Sequence, residues 1–315
     1  MKNQSSVTGF RLEGLPSSPH WLLMSFTVFL TLYLMTLIGN VLIVTAVSVD
    51  PGLHTAMYFF LSNLSFLEVL YTSVTVPNIL LNIACKRNHI SFNGCMAQAY
   101  LFTGCATTEC VLLAVMAYDR YVAICHPLHY RAIMNRRVCV QLAGATWLAG
   151  ILNSVVQTLP TSLLPYCRDN ALDRLYCEVQ PLLKLSCSDT YVNKVLTSAS
   201  ASLFGVGLLI FILMSYIYIV LTILRIPSTA GRLKAFSTCA SHVTVVVLYY
   251  GALIFMYLRP ISDDSRKVDS VMSAVYCIVI PVLNPMIYSL RNKDVKGALR
   301  TTLHRKISAL RHMQP

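Results

Sequence analysis

The sequence predicts an all-α membrane protein: a seven-transmembrane helix bundle with a short amphipathic C-terminal helix. Three observations carry this expectation. The 315 residues are 56% hydrophobic and only 12% charged, with a mean hydropathy of +0.61, whereas a soluble domain is roughly a quarter charged. Seven long segments are free or nearly free of Asp, Glu, Lys and Arg, and a helix needs about 20 apolar residues to cross hydrocarbon. Beyond the last segment, apolar residues recur at helical spacing opposite a basic face. Core helices of soluble proteins average about 11–12 residues, so they do not explain segments of this number and length.

The elements follow in order. Residues 1–20 are polar, lack the apolar stretch of a cleavable signal and read as an extracellular N-terminus. Asn3-Gln4-Ser5 is an N-glycosylation sequon there, useful only if this end faces the lumen. Asn63-Leu64-Ser65 is a second sequon, but it lies inside a span and is out of reach. The first span, Trp21–Val49, carries no charge. The second, Pro51–Cys85, holds Glu68, and the third, Asn88–Tyr118, holds Glu109. The fourth to seventh, Val138–Cys167, Val195–Leu224, Ala235–Leu258 and Ser270–Leu290, again carry none. Gly205 and Gly207 interrupt only the fifth. Residues 21–290 thus form the transmembrane domain. In the remainder, 291–315, Val295, Ala298, Leu299, Leu303 and Ile307 define the apolar face of a cytoplasmic amphipathic helix lying on the inner leaflet. No Cys follows Cys277, so this tail offers no palmitoylation site.

Charge gives orientation only weakly. The first inner loop, Asp50 to Thr55, has no Lys or Arg, and it is the basic tail that tips the balance toward an extracellular N-terminus. The net charge of +12 is mostly an inner-face property. It suits anionic membrane lipid and an acidic protein partner. Nucleic acid is excluded as a partner for a chain embedded in this way.

Eleven Cys are present. Cys105, Cys110, Cys125, Cys139, Cys239 and Cys277 fall in spans or at the inner face and read as small apolar packing residues. Cys85, Cys95, Cys167, Cys177 and Cys187 fall on the outer side, where disulfides persist. Residues alone leave their connectivity open. No His lies between Cys167 and Cys187, which argues against a metal centre there.

Glu68 and Glu109 sit at mid-membrane depth, Glu109 about 16 Å along a helix from Arg120. Buried carboxylates must be neutralised or paired, so a proton or a bound cation is required. Pro285, within Asn284-Pro285-Met286-Ile287-Tyr288, removes a backbone N–H and loosens the seventh span.

The block Met116-Ala117-Tyr118-Asp119-Arg120-Tyr121-Val122-Ala123-Ile124-Cys125-His126-Pro127-Leu128 resembles the cytoplasmic end of the third helix of rhodopsin-like (class A) G-protein-coupled receptors, in the odorant-receptor branch. Gly39-Asn40, the stretch Leu53 to Leu61, Lys234-Ala235-Phe236-Ser237-Thr238-Cys239-Ala240-Ser241-His242 and Pro281 to Asn292 resemble the same branch, in order and at family spacing. The resemblance runs from about Asn3 to Leu299. One departure is Ala56, where the family usually has Pro; losing it softens the turn into the second span.

The resemblance implies several roles. Cys95 would pair with Cys177 and Cys167 with Cys187. Asp119, Arg120 and Tyr121, with Tyr216, Arg232, Lys234, His242, Asn284, Pro285 and Tyr288, would serve the switch and G-protein coupling. Asn40, Glu68 and Glu109 would form a polar core able to take an allosteric sodium ion, the one cofactor implied; helix-to-helix hydrogen bonding by protonated carboxyls is the plainer alternative. His242 reads as a neutral imidazole bonding a neighbouring helix. For Asp119 and Arg120 the plain alternative is a surface ion pair worth ~0–1 kcal/mol. Counting from the motifs puts Phe102, Thr103, Ala106, Thr107, Ser200, Phe204, Tyr250, Leu253, Ile254 and Tyr257 around a ligand pocket. That set carries no charge and few hydroxyls, so a small apolar ligand with one hydrogen-bonding group is expected.

The expected function is an odorant receptor at the plasma membrane of sensory-neuron cilia. It would bind a small, mainly apolar volatile molecule and activate the stimulatory, olfactory type of heterotrimeric G protein to raise cyclic AMP. The alternatives are a class A receptor for another small ligand, or remotely a transporter, although seven spans do not halve into repeats. No His-Glu-x-x-His or Gly-x-Ser-x-Gly motif supports an enzyme.

Overall fold

The computed structural model describes residues 7–14, 18–86, 88–167, 170–258, 272, 274–291 and 297, with the side chains of residues 19, 256–258 and 289–291 excluded. The glycosylation candidate Asn3, the side chain of Tyr257 and all but two residues of the 291–315 tail lie outside this set.

The chain order is β1 (Gly9–Leu12), α1 (Pro19–Val49), α2 (Ala56–Cys85), β2 (His89–Ser91), α3 (Phe92–Cys125), α4 (Tyr130–Ile133), α5 (Arg136–Ser162), β3 (Ala171–Leu172), α6 (Val179–Leu183), α7 (Tyr191–Ser200), α8 (Leu208–Leu224), α9 (Thr229–Leu258) and α10 (Ile280–Arg291). Six helices among the described residues are long and apolar enough to span a membrane; α7 and α8 form one of them, and the apolar stretch Val275–Tyr288 is a shorter seventh. The chain is a multi-pass, seven-helix membrane bundle. Its lipid-facing residues, such as Leu23, Ile38, Leu159 and Val247, are exposed and apolar, the inverse of a soluble surface and the expectation for hydrocarbon as solvent.

Several boundaries differ from expectation. The third helix runs on to Cys125, so Asp119 and Arg120 lie inside it rather than at its end. Gly205 and Gly207 do not break the fifth span. They fall in a π-helical turn, Ala201–Gly207, that joins α7 to α8; the backbone widens without losing its hydrogen-bonded path. A second π-helical turn, Val275–Val279, leads into α10. At Ala56 the turn into α2 is held from its other end, where the Asp50 carboxylate accepts from Gly52 N at 2.9 Å.

Small residues set a close helix contact. A Cβ on Gly150 of α5 would overlap Thr108 Oγ1 of α3 and stand 2.7 Å from Gly104 O. Lipid tails supply no hydrophobic drive between helices, so close backbone approach and polar glue hold the pair. Ser154 Oγ donates to Tyr100 O and Asn153 Nδ2 to Thr107 Oγ1, the latter at 2.8 Å.

One end of the bundle carries a cap that the sequence did not announce. β1 pairs antiparallel with β2 and parallel with β3, in the order β2-β1-β3. Phe10 and Leu12 of β1 are buried with Met96, Tyr166, Leu172 and Leu182. Two disulfides, Cys95–Cys177 and Cys167–Cys187, staple the same end, and Cys85 is free and exposed. These are the pairs that the resemblance implied.

Candidate functional site

Beneath the cap the helices line a cavity of about 340 Å³. Its walls include Phe102, Thr103, Ala106, Thr107 and Cys110 of α3, Ser200 of α7 and Phe204 of the π-helical turn, and Tyr250, Leu253 and Ile254 of α9. Nine of the ten residues expected around a pocket therefore share one cavity; the tenth, Tyr257, has its side chain outside the described residues. The π-helical turn brings Ser202, Gly205 and Val206 onto the same wall; such turns recur at functional sites.

Counting up the helices missed the roof. Glu178, Val179 and Gln180 cover the cavity, and Gln157 of α5 and Tyr276 of the seventh span complete it. A signal existed: Cys177 is bridged to Cys95 near the start of α3, which brings the next residue over that helix.

Several polar groups around the cavity are engaged with protein, whereas Tyr250 Oη and Thr197 Oγ1 are buried without a hydrogen-bond partner. Tyr249 Oη donates to Ala106 O at 2.9 Å and accepts from Tyr276 Oη at 2.9 Å. Gln157 Nε2 donates to Ser200 Oγ at 2.9 Å. Thr107 Oγ1 donates to Thr103 O at 2.8 Å. A ligand therefore meets mainly aromatic and aliphatic surface, with the Tyr250 and Thr197 hydroxyls as unengaged polar points. Phe102 packs between Tyr71 and Tyr176, with ring centroids at 5.1 and 4.8 Å.

Deeper in the bundle lies the polar core. Glu68 and Glu109 are 1% and 2% exposed, and their carboxyls meet across the α2–α3 contact. Asn284 Nδ2 donates to Glu68 Oε1. Asn40 does not join them directly. Its Nδ2 donates to Thr36 O at 3.0 Å and to Pro281 O at 3.3 Å. The second bond has a simple cause: Pro281 O is the carbonyl that residue 285 would have bonded, and Pro285 has no N–H. Gly39 makes the approach possible, since a Cβ there would stand 3.1 Å from Pro285 Cγ. Asn40 Oδ1, Glu68 Oε2, Glu109 Oε1 and Asn284 Oδ1 are buried oxygens without a protein hydrogen bond. Among the described residues no three or more His, Cys, Asp or Glu group together as a metal site.

At the end opposite the cap, Arg120 Nη2 folds back to Asp119 Oδ2 at 2.6 Å. The pair is not on the surface: Asp119 is 1% and Arg120 7% exposed. This corrects the surface-pair alternative, because extension of α3 to Cys125 keeps both residues within the bundle. A residue that the sequence reading passed over, Tyr130, completes the cluster by donating from Oη to Asp119 Oδ1 at 2.8 Å. Burial, with Asp119 beside it, raises the Tyr130 phenol above its ordinary range, so it stays a donor. Tyr121 bonds His126 Nε2 at 3.2 Å instead.

His242 of α9 ties three spans. Its Nε2 meets Leu113 O of α3 at 3.1 Å and its Nδ1 meets Tyr216 Oη of α8 at 2.6 Å. A carbonyl only accepts, so Nε2 carries the proton and Nδ1 accepts from Tyr216. Tyr288 is buried with an unpartnered hydroxyl. Arg232 is half-buried, with Nη2 3.5 Å from Thr229 Oγ1, and Lys234 is exposed.

Comparison with known proteins places these features in one group. Residues 29–306 match the family model described as olfactory receptor. Olfactory receptor 5AP2 of Mus musculus is 46% identical over 303 residues, 96% of each chain. Olfactory receptor 1F1 of Homo sapiens is 46% identical over 305 residues, 97% of this chain and 98% of its own. Olfactory receptor 5G25 of Mus musculus is 48% identical over 305 residues, 97% of this chain and 96% of its own. These relatives are receptors, not enzymes. With near-complete coverage, a seven-helix bundle and the Asp119-Arg120 cluster all in agreement, the chain belongs to the olfactory receptor family.

Proposed function

We infer that the protein is an odorant receptor that takes a small, mainly apolar volatile ligand into the cavity beneath the cap and activates a heterotrimeric G protein of the stimulatory type, raising cyclic AMP. The observation that carries this reading is the cavity itself. At about 340 Å³ it lies at the small end of the roughly 300–1,000 Å³ range of ligand pockets. Its wall on α9 belongs to the same helix that His242 fastens to α3 and α8. A ligand that fits better when Tyr250, Leu253 and Ile254 are displaced draws α9 outward. It supplies only its differential affinity for the two states. The His242 bonds to Leu113 and Tyr216 then break. Arg120 leaves Asp119 and Tyr130 for the G protein, while Tyr216 and Tyr288 fill the vacated space. Arg232 and Lys234, at the start of α9, meet the acidic partner.

The cap end faces outward in this reading, which its two disulfides favour, because such bonds persist on the oxidising side. The setting is the plasma membrane of sensory cilia. Glu68 and Glu109, with the Asn284 oxygen, supply the hard oxygen donors that a sodium ion prefers, and the ion would stabilise the resting state by neutralising them. The reading is tested with Arg120→Ala. Surface expression and ligand binding should persist while G-protein activation disappears; a fully signalling variant would refute the mechanism.

A further inference from the structure

Resting on the proposal that the cavity is the ligand site, we propose that it selects uncharged molecules with an oxygen acceptor at each end of an apolar span, one end held by Tyr250 and the other by Thr197. The sequence led to a ligand with a single hydrogen-bonding group; the walls offer two points for one. Tyr250 Oη of α9 and Thr197 Oγ1 of α7 are buried in the lining without a hydrogen-bond partner. Each hydroxyl carries a proton that finds no acceptor, and an unmet buried donor bears its desolvation cost in full. A ketone or ester carbonyl oxygen takes such a proton and brings none of its own. Among the described lining residues there is no Lys, Arg or His, so a carboxylate oxygen would be buried without a counter-charge. The acceptor that fits is a neutral one.

Both side chains are set by their surroundings. Tyr250 is 4% exposed, and its ring stands edge-on to Tyr249 at 5.5 Å. Tyr249 is fixed in turn by Ala106 O and Tyr276 Oη. The Cys110 thiol lies beside Tyr250, but sulfur is a weak partner, and its 3.4 Å contact is with Tyr249 Oη. Thr107, Thr108, Thr146 and Thr161 turn their hydroxyls back to the carbonyl four residues earlier, a common habit of helical threonine; Thr197 does not. The helix on either side of it is tied to α5, by Asn193 Nδ2 donating to Thr161 Oγ1 at 3.3 Å and by Gln157 Nε2 donating to Ser200 Oγ.

The two points lie at different depths. Thr107 is one turn of α3 nearer the cap than Cys110, which lies beside Tyr250. Thr107 accepts from Asn153 of α5; Gln157, one turn nearer the cap again, reaches Ser200. Thr197 is a further turn along α7 in the same direction. Three turns of about 5.4 Å, on helices that cross at an angle, amount to roughly 10–15 Å. A hydrogen bond of about 2.8 Å at each end leaves roughly 5–10 Å between the two ligand oxygens, the reach of about four to seven methylene groups. Those methylenes would lie against lining residues such as Phe204 and Leu253.

The test uses the full receptor in cells with a promiscuous Gα subunit, so that the outcome is independent of coupling type, and responses are normalised to surface receptor. Straight-chain keto esters with about two to ten methylenes between the carbonyls are applied beside the ketone and the ester of equal chain length. The best keto ester should fall at about four to seven methylenes and act at a concentration at least about tenfold below either single-carbonyl match. Tyr250→Phe and Thr197→Val each delete one hydroxyl and keep the shape of the side chain. Each should raise the half-maximal concentration of that keto ester at least about fivefold. The single-carbonyl compounds can use whichever point remains and should shift less than about threefold. The double variant should erase the preference for two carbonyls. Silence of every keto ester, equal potency of keto esters and their single-carbonyl matches, or a preference that survives the double variant overturns the proposal. So does an equal shift of both compound types in both single variants, which would mark a general disturbance of the pocket. Ala106→Trp fills the cavity: if responses survive it at normal surface level, the cavity reading itself fails, whatever the preference for two oxygens.

Discussion

Tyr130→Phe isolates one bond of the Asp119 cluster. The substitution deletes a hydroxyl and leaves the ring, so packing is conserved and the loss is the 2.8 Å bond to Asp119 Oδ1. A hydrogen bond to a charged group contributes ~1.5–3 kcal/mol. Tyr130 is only partly buried, and water competes for the carboxylate, which brings the figure to about 1 kcal/mol. If the bond exists only in the resting state, that amount is removed from the resting state alone. One kcal/mol is roughly a fivefold change in an equilibrium constant, so a sparsely populated active state should become about five times more populated. Basal cyclic AMP, normalised to surface receptor, should rise by about that factor, and Asp119→Asn should exceed it. Basal activity within twofold of the parent, at equal surface level, would show that the cluster does not bias the switch.

Other variants probe other parts of the bundle. Cys95→Ser opens a bridge spanning 82 residues, a constraint worth ~4 kcal/mol on the chain-entropy account; surface expression should collapse, whereas Cys85→Ser, at a free exposed thiol, should be tolerated. Gly150→Val drives side-chain atoms into Thr108 and the Gly104 carbonyl and should destabilise by ~1–3 kcal/mol. Gly144→Val, with open space around it, is the control, and equal melting temperatures for the two would contradict the close-approach account. Glu109→Gln should remove the sodium dependence of basal signalling; a parental sodium response in both Glu109→Gln and Glu68→Gln would leave protons as the neutralising charge.

The bundle was legible because hydrocarbon imposes one requirement that composition alone reveals: long segments without charge. Wall positions were legible because a helix converts a count of residues into height. Other features depend on where separate segments meet, and no local pattern encodes that. β1 is four residues, Gly-Phe-Arg-Leu, with no strand signal of its own; its partners lie in two loops that the bundle gathers at one end. Tyr130 reaches Asp119 only because the chain turns back after His126-Pro127. Glu178 was visible as a loop acid, but its place over the cavity follows from the bridge at Cys177. At Gly205 and Gly207 the sequence read as interruption, and the backbone met the same residues by widening its turn.

The cap has a consequence for how the molecule is made. Gly9 pairs with Ser91, and Arg11 with Ala171. A strand synthesised near the start must therefore wait until four later spans, α1, α2, α3 and α5, have been threaded before its second neighbour exists. Until then its edge is open, a state prone to wrong pairing, and Cys95 has no Cys177 to meet. A fault deep in the bilayer, such as a wedge at Gly150, would thus announce itself at the far surface, as an unfinished sheet and an unspent thiol. Whatever inspects newly made copies from outside the membrane would need only that small patch to judge whether the helices beneath have assembled.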